Sequence, residues 1–205
     1  RMLGGGGAPV PAPAGHATIA LPPYIRCPLA DIERYQTVYA TRPGSVAAPT
    51  AGLHLTHDVL DACRAVGAGV ATVDLAVGLD TFRPITVARV EDHQMHSERY
   101  SVPPATLDAC RQARRVVAVG TTTLRALESA AVGPAQGRTR LFITPGYPFA
   151  AVDLLLTNLH QPRSSLLVLL AAFYGPAWRA LYTTALAEGY RFLSFGDAML
   201  VPRRQ

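Results

Sequence analysis

Residues 115–131, RVVAVGTTTLRALESAA, decide the fold. The apolar run that ends at Val119 predicts a buried strand, Gly120 and three threonines form a turn, and residues 124–131 predict a helix. Further strands are predicted at 70–77, 85–90, 141–144, 152–157 and 191–195, and helices at 31–39, 57–66, 103–115, 165–174 and 177–188. Strands that alternate with helices predict an α/β fold, here a barrel-like domain with a mostly parallel sheet and helices on both faces.

The composition is that of a folded chain with one core. Of its 205 residues, 49% are apolar and 16% are charged, against an average charged fraction of about 25%. This excludes a charge-rich disordered protein. Residues 1–23 are rich in Gly, Pro and Ala and are predicted to be a linker or the tail of a preceding domain. Residues 24–205 are predicted to form one α/β domain.

All 19 basic residues are Arg, which excludes a catalytic Lys, a Schiff base and a P-loop. The three cysteines stand far apart, a pattern that favours reduced thiols in a cytoplasmic protein. No apolar run reaches the roughly 18 residues of a membrane span, so we expect no membrane contact. The net charge of +5 indicates an anionic partner such as RNA.

The densest polar segment is EDHQMHSE, residues 91–98. On a helix, His93 and His96 would share a face and could bind a metal with His54 or His160 as a third ligand. On a strand, His96 and Glu98 would share a face, and Glu98 could orient the imidazole. A polar loop without a chemical role is the alternative, and acid–base or substrate contact is favoured over a metal.

Three further segments follow predicted strands, where α/β sheets bind ligands. The turn at Gly120–Thr123 offers free backbone N–H groups to an anion, or is an ordinary helix cap. The turn 145–149, PGYPF, carries two aromatic rings that could stack on a base. Residues 157–165, TNLHQPRSS, combine amide, imidazole, guanidinium and hydroxyl groups, which favours a functional loop.

Several of these segments resemble one family in the same order along the chain. They are LPPYI at 21–25, YQTVYA at 35–40, GSVAAPTAGLH at 44–54, DHQMHSE at 92–98, VGTT at 119–122, PGY at 145–147, LTN at 156–158 and GDAM at 196–199. The chain is similar to the S-adenosylmethionine:tRNA ribosyltransferase-isomerases of queuosine biosynthesis. The resemblance implies transfer and isomerisation of the ribosyl group of S-adenosylmethionine onto 7-aminomethyl-7-deazaguanine in the tRNA anticodon. The implied products are epoxyqueuosine-tRNA, adenine and methionine, without a metal.

The resemblance also implies a set of site residues in a catalytic domain that we expect to be a monomer. The candidates for proton transfer are His54, His93, His96, Glu98 and His160. The candidates for holding S-adenosylmethionine are Thr50, Gly52, Gly120, Thr121, Thr122, Arg125, Pro145, Gly146, Tyr147 and Asn158.

The chain departs from the family pattern at several positions. A His, a Gly and two Lys are replaced by Ala76, Asp80, Ala150 and Arg163, and the segment 158–165 also has Leu159, Gln161 and Ser165 where the family has Phe, Leu and Thr. The N-terminal portion of the family, with its small inserted β-barrel domain, precedes the LPPYI motif and is not part of this sequence. Three alternatives therefore stay open: a relative that uses S-adenosylmethionine on a small-molecule acceptor, an inactive fragment that only binds, and a metal-dependent hydrolase built on the His cluster.

Overall fold

The structure is a computed structural model that describes residues 21–22, 24–26, 29, 31–41, 48–76 and 84–204. The predicted linker up to residue 20, Cys27 and Asp80 lie outside these residues. Within them the chain forms six strands and five α-helices. The helices are α1 (His57–Ala65), α2 (Pro104–Gln112), α3 (Thr121–Val132), α4 (Ser165–Tyr174) and α5 (Trp178–Ala187). The strands are β1 (Asp74–Ala76), β2 (Glu98–Ser101), β3 (Val117–Val119), β4 (Gln136–Thr139), β5 (Leu154–Asn158) and β6 (Ala198–Pro202).

The six strands form two sheets of three. One sheet has the order β1-β2-β4 with antiparallel pairs, and the other has the order β3-β5-β6. In the second sheet β3 and β5 are parallel, because α3 returns the chain towards the end of the sheet at which β3 begins. Strand β6 is antiparallel to β5, since its first residue, Ala198, pairs with Asn158 at the end of β5.

The α/β class is confirmed, but the mostly parallel sheet is not. Among the described residues, one of the four strand pairings is parallel and three are antiparallel. The reason lies in the connections between the strands. Helices α4 and α5 both lie between β5 and β6, and they return the chain to the end of β5, where the Leu193 N–H donates to the Leu159 carbonyl at 2.9 Å.

Several predicted elements differ from the structure, and three of them are apolar runs that predict strands but form none. Residues 85–90, 141–144 and 191–195 carry no strand, and residues 31–39 form only a short 3-10 helix, Ile32–Tyr35. Ile143 is 1% exposed and packs in the core without joining a sheet. Strands β2 and β4 are formed by the polar segments ERYS and QGRT instead. One face of each strand is exposed, and its polar side chains obscure the apolar pattern that would predict a strand.

The core lies between α3, α4 and one face of the second sheet. Ala118 and Leu155 of this face are fully buried with Leu124, Leu170 and Phe173 of the two helices. Because side chains alternate along a strand, Val117, Val119, Leu156 and Leu200 point to the opposite face. That opposite face forms one wall of a cavity.

Among the described residues, no single helix is both long and apolar enough to cross a membrane. Helices α4 and α5 pass such a test only as a pair, and their axes are bent by 114° where they meet. Leu169, Leu170 and Phe173 of α4 are buried in the core.

Candidate functional site

A cavity of about 650 Å³ opens beside the carboxyl ends of β3 and β5. Gly120 follows β3, and Asn158 ends β5. Six of the predicted site residues line this cavity: Thr50, Gly120, Thr121, Thr122, Asn158 and His160. The volume lies within the range of about 300–1,000 Å³ of small-molecule sites. The tertiary structure thus brings together residues that stand up to 110 positions apart in the sequence.

Gly120 turns the chain from β3 into α3. Its φ of 90° lies in the region that side chains with a Cβ avoid, and its N–H donates to the Leu156 carbonyl at 2.8 Å. Thr121 and Thr122 then form the first turn of α3, whose backbone N–H groups lack partners within the helix. The start of α3 therefore presents partial positive charge to the cavity.

Asn158 links three segments of the cavity wall. Its Oδ1 accepts from Thr50 Oγ1 at 2.8 Å, and its Nδ2 donates to the Asp197 carbonyl at 3.3 Å. The first contact fixes the 3-10 helix Thr50–His54 against β5. In that helix Gly52 is needed for space, because a Cβ there would lie 2.0 Å from Tyr39 Oη.

His160 is buried in the cavity wall in its neutral form. Its Nε2 lies 2.9 Å from Thr157 Oγ1, and its backbone N–H donates to Tyr182 Oη at 2.8 Å. Burial lowers the pKa of His160 to about 4, since the imidazolium would lose its hydration. At neutral pH His160 can offer hydrogen bonds but no charge.

His96, Glu98 and Arg125 form a chain of contacts behind the start of α3. Glu98, only 2% exposed at the start of β2, places Oε1 2.8 Å from His96 Nε2 and accepts at Oε2 from Arg125 Nη1 at 2.5 Å. Arg125 also donates from Nε to the Leu141 carbonyl at 3.0 Å. Burial lowers the pKa of Arg125, and the charge of Glu98 opposes this effect. Glu98 thus contacts the imidazole of His96, although His96 precedes β2 and does not share a strand with Glu98.

Nine of the fifteen predicted site residues lie outside the lining of this cavity: Gly52, His96, Glu98 and Arg125, whose contacts are given above, and five further residues. His93 packs its ring on Phe142 at a centroid distance of 5.2 Å, and His54 is exposed near Asp197. Pro145 and Gly146 are exposed, and Tyr147 packs edge-on against Phe149 at 5.0 Å. Burial raises the pKa of the Tyr147 hydroxyl. Where these five residues would act stays a prediction.

A polar cluster at the cavity wall is not predicted from the sequence. Tyr24 Oη lies 2.8 Å from Ser194 Oγ, and the fully buried Tyr35 places its hydroxyl 3.5 Å from the same oxygen. Burial raises the pKa of Tyr35 to about 12. Ser194 follows Leu193, whose φ of 72° is rare for a leucine and turns the chain towards the cavity. The motifs LPPYI and YQTVYA contain the two tyrosines, but Ser194 lies 170 and 159 residues away from them, so no local pattern predicts that the three side chains meet.

No group of three or more His, Cys, Asp or Glu side chains within the described ranges is close enough to hold a metal ion. In particular, His96 Nε2 is already engaged by Glu98. Of the predicted His cluster, His96 contacts Glu98, whereas His93 packs on Phe142.

Comparison with known proteins gives the family. The profile described as "Queuosine biosynthesis protein" matches residues 12–201. The chain belongs to this family. An S-adenosylmethionine:tRNA ribosyltransferase-isomerase of Dechloromonas aromatica is 52% identical over 202 residues, which cover 92% of this chain and 57% of the relative. The Geobacter sulfurreducens enzyme of the same name is 51% identical over 199 residues and is covered to 58%.

A solved structure agrees with this family membership. The crystal structure of an S-adenosylmethionine tRNA ribosyltransferase from Thermotoga maritima superposes with a TM-score of 0.61 at 42% identity. The match covers 73% of this chain and 50% of that protein. This queuosine biosynthesis family member therefore spans a little more than half the length of the curated relatives it matches.

Proposed function

We propose that this protein transfers and isomerises the ribosyl group of S-adenosylmethionine onto 7-aminomethyl-7-deazaguanine in tRNA. The products would be epoxyqueuosine-tRNA, adenine and methionine. One observation carries the proposal: the motif residues Thr50, Gly120, Thr122 and Asn158 of a queuosine biosynthesis family member converge on one cavity. The catalytic unit would be the α/β domain from residue 24 onwards.

The cavity has the chemical character of a nucleoside site. Neutral donors and acceptors from Tyr24, Thr50, Asn158 and Ser194 line the cavity together with apolar side chains of the second sheet. Such a mixture suits a flat heteroaromatic base attached to a sugar. Asp74 is the carboxylate in the described lining, and its sign is the one that a sulfonium cation requires. S-adenosylmethionine combines these two features, and no metal is required by the proposal.

The reaction needs a base that removes a proton from the carbon next to the sulfonium, and an acid that protonates the departing adenine. We assign proton transfer to His96, because Glu98 fixes its ring and can stabilise the imidazolium. His160 would instead hold the substrate, since its low pKa makes it a weak base. Exclusion of water from the cavity would protect the reactive intermediate.

The partner in this proposal is tRNA, and the place of action is the cytoplasm, where tRNA is modified. A net charge of +5 and a pI near 9.4 favour approach of a polyanion. The acceptor base would enter the cavity after leaving the stack of the anticodon loop.

The test is adenine release by the purified protein. S-adenosylmethionine is mixed with an anticodon stem-loop that carries 7-aminomethyl-7-deazaguanine, and with a control stem-loop that carries guanine at that position. We expect adenine, methionine and modified RNA in equal amounts, and none with the control. Adenine release that does not depend on RNA but requires a small amine would support the small-molecule acceptor suggested by Ala76 and Ala150. Absence of S-adenosylmethionine binding to the folded protein would contradict both activities.

A further inference from the structure

We propose that Arg125 binds the carboxylate at the amino-acid end of the cosubstrate. This inference rests on the proposed function, since it names the subsite that holds one part of S-adenosylmethionine. The carboxylate of the cosubstrate needs a positively charged partner, but the described lining of the 650 Å³ cavity includes no Arg.

Arg125 has one donor to spare. Its Nε and Nη1 are bonded to Leu141 and Glu98, whereas Nη2 has no hydrogen-bond partner among the described residues. The side chain is only 4% exposed, so water in bulk does not reach this nitrogen. A buried N–H of a charged group without a partner is unfavourable, and it is rare in folded proteins. An unsatisfied donor of this kind points to a ligand atom.

A second, small cavity lies next to this donor. It has a volume of about 10 Å³, and its wall includes Arg125, His96, Thr121, Thr122 and Ser165. A volume of this order holds about one water-sized group, which is the size of one carboxylate oxygen. Because its Nε and Nη1 are engaged, Nη2 is the donor that Arg125 can offer to this cavity.

The small cavity also lies at the start of two helices. Thr121 and Thr122 form the first turn of α3, and Ser165 is the first residue of α4. Helices of 12 and 10 residues both present partial positive charge at these ends. The positive charge of the guanidinium and of the two helix starts together exceeds the single negative charge of Glu98, so this cluster favours binding of an anion.

The two cavities are neighbours. Thr121, Thr122 and Leu166 line both of them. A ligand whose nucleoside occupies the large cavity can therefore extend its amino-acid end past the start of α3. In this arrangement the sulfonium lies between the two cavities, on the side of His96, where the proposed proton transfer takes place.

The experiment compares two ligands on matched variants. The dissociation constants of S-adenosylmethionine and of decarboxylated S-adenosylmethionine are measured by calorimetry on the wild-type protein, Arg125→Lys and Glu98→Gln. In the wild type we expect the decarboxylated ligand to bind about tenfold to a hundredfold more weakly, as for loss of a hydrogen-bonded ion pair. In Arg125→Lys the dissociation constants of the two ligands should differ by less than about threefold, because the single ammonium group of the Lys would pair with Glu98 and leave no donor for the ligand carboxylate.

Glu98→Gln is the matched control. It disturbs the same cluster and slows catalysis, but it leaves Nη2 in place, so the preference for the carboxylate ligand should persist. Leu166→Phe is a second variant with Arg125 intact. It narrows the passage between the cavities and should reduce the preference without removing binding.

The inference is overturned if the wild type binds both ligands equally, or if Arg125→Lys keeps the full wild-type preference. Failure of the proposed function looks different: the folded wild type would then bind neither ligand, or would bind both with the expected preference but release no adenine with the modified RNA. The first of these results also overturns the carboxylate subsite, whereas the second supports it.

Discussion

At the scale of single residues, Glu98 is the carboxylate on which His96 and Arg125 both depend. It is buried, and each of its oxygens accepts from a different partner. Replacement by Gln keeps the size and removes the charge that would stabilise an imidazolium at His96. We expect Glu98→Gln to slow adenine release by about tenfold or more at saturating S-adenosylmethionine.

The matched control for this change is Glu91→Gln, seven residues earlier. The Glu91 side chain is 71% exposed and contacts Arg89 only at 3.6 Å. Its replacement should leave the rate unchanged. A Glu98→Gln protein as fast as the wild type would exclude His96 as the assisted base.

His160 makes stability depend on pH. Its pKa is about 4 in the folded protein and near 6.5 when unfolded, so the unfolded chain binds a proton first as the pH falls. Between pH 6.5 and 4 this favours unfolding, by up to on the order of 3 kcal/mol. We expect the urea midpoint to fall over this range, and to fall less in His160→Gln. An equal fall in both proteins would contradict the burial of a neutral imidazole.

At the scale of elements, Glu128 joins the last turns of α3 to the segment before β5. Its fully buried carboxylate accepts from three backbone N–H groups, those of Ala150, Ala151 and Val152, at 2.8–3.0 Å. In Glu128→Gln an amide N–H₂ would face one of these donors. We expect a loss of about 2–3 kcal/mol in the free energy of unfolding, measured with urea.

Glu188→Gln is the control for this prediction, because Glu188 lies exposed just after α5. It should change stability by less than about 0.5 kcal/mol. The backbone N–H of Ala150, a position where the family resemblance leads us to expect a Lys, is one of these three donors.

The 3-10 helix at Thr50–His54 tolerates no Cβ at its third residue. In Gly52→Ala the new methyl would meet Tyr39 Oη and would lie 2.9 Å from Thr37 Cγ2, and both neighbours line the large cavity. We expect a loss of about 1–3 kcal/mol in stability and weaker binding of S-adenosylmethionine. Gly69→Ala is the matched control, since Gly69 also lines the cavity and its Cβ would meet nothing within 4 Å. Equal affinity in the two variants would argue against a role for Tyr39 in the site.

At the scale of the whole molecule, the ligand should stabilise the fold. The large cavity is bounded by α1, the 3-10 helix, the segment 68–75 and the second sheet, which are distant in sequence. A ligand that bridges them binds only the folded chain. At a concentration of a hundred times its dissociation constant, S-adenosylmethionine should raise the Tm by about 5–10 °C. A Tm that does not change with the ligand would place its site elsewhere.

The sequence predicted most of the helices because each carries local signals. Thr56 caps α1, Ser164 caps α4, and Gly133 follows α3. The sequence did not predict β2, β4 and β6, because a strand forms only where a partner strand pairs with it. The polar residues of β2 and β4 pair with each other, and a run such as 141–144 finds burial without a partner strand.

For the site, the amino-acid sequence by itself determined the candidate residues: the turn at Gly120, the His cluster and the segment around Asn158 follow from short motifs, and these also carried the family resemblance. Only the tertiary structure decided how they combine. It separated Pro145 and Tyr147 from the large cavity, buried His160 as a neutral imidazole, and placed Arg125 against Glu98 with one nitrogen that has no partner among the described residues. The physical reason is that burial and charge pairing arise between segments distant in sequence, whereas capping and turn formation act within a few residues.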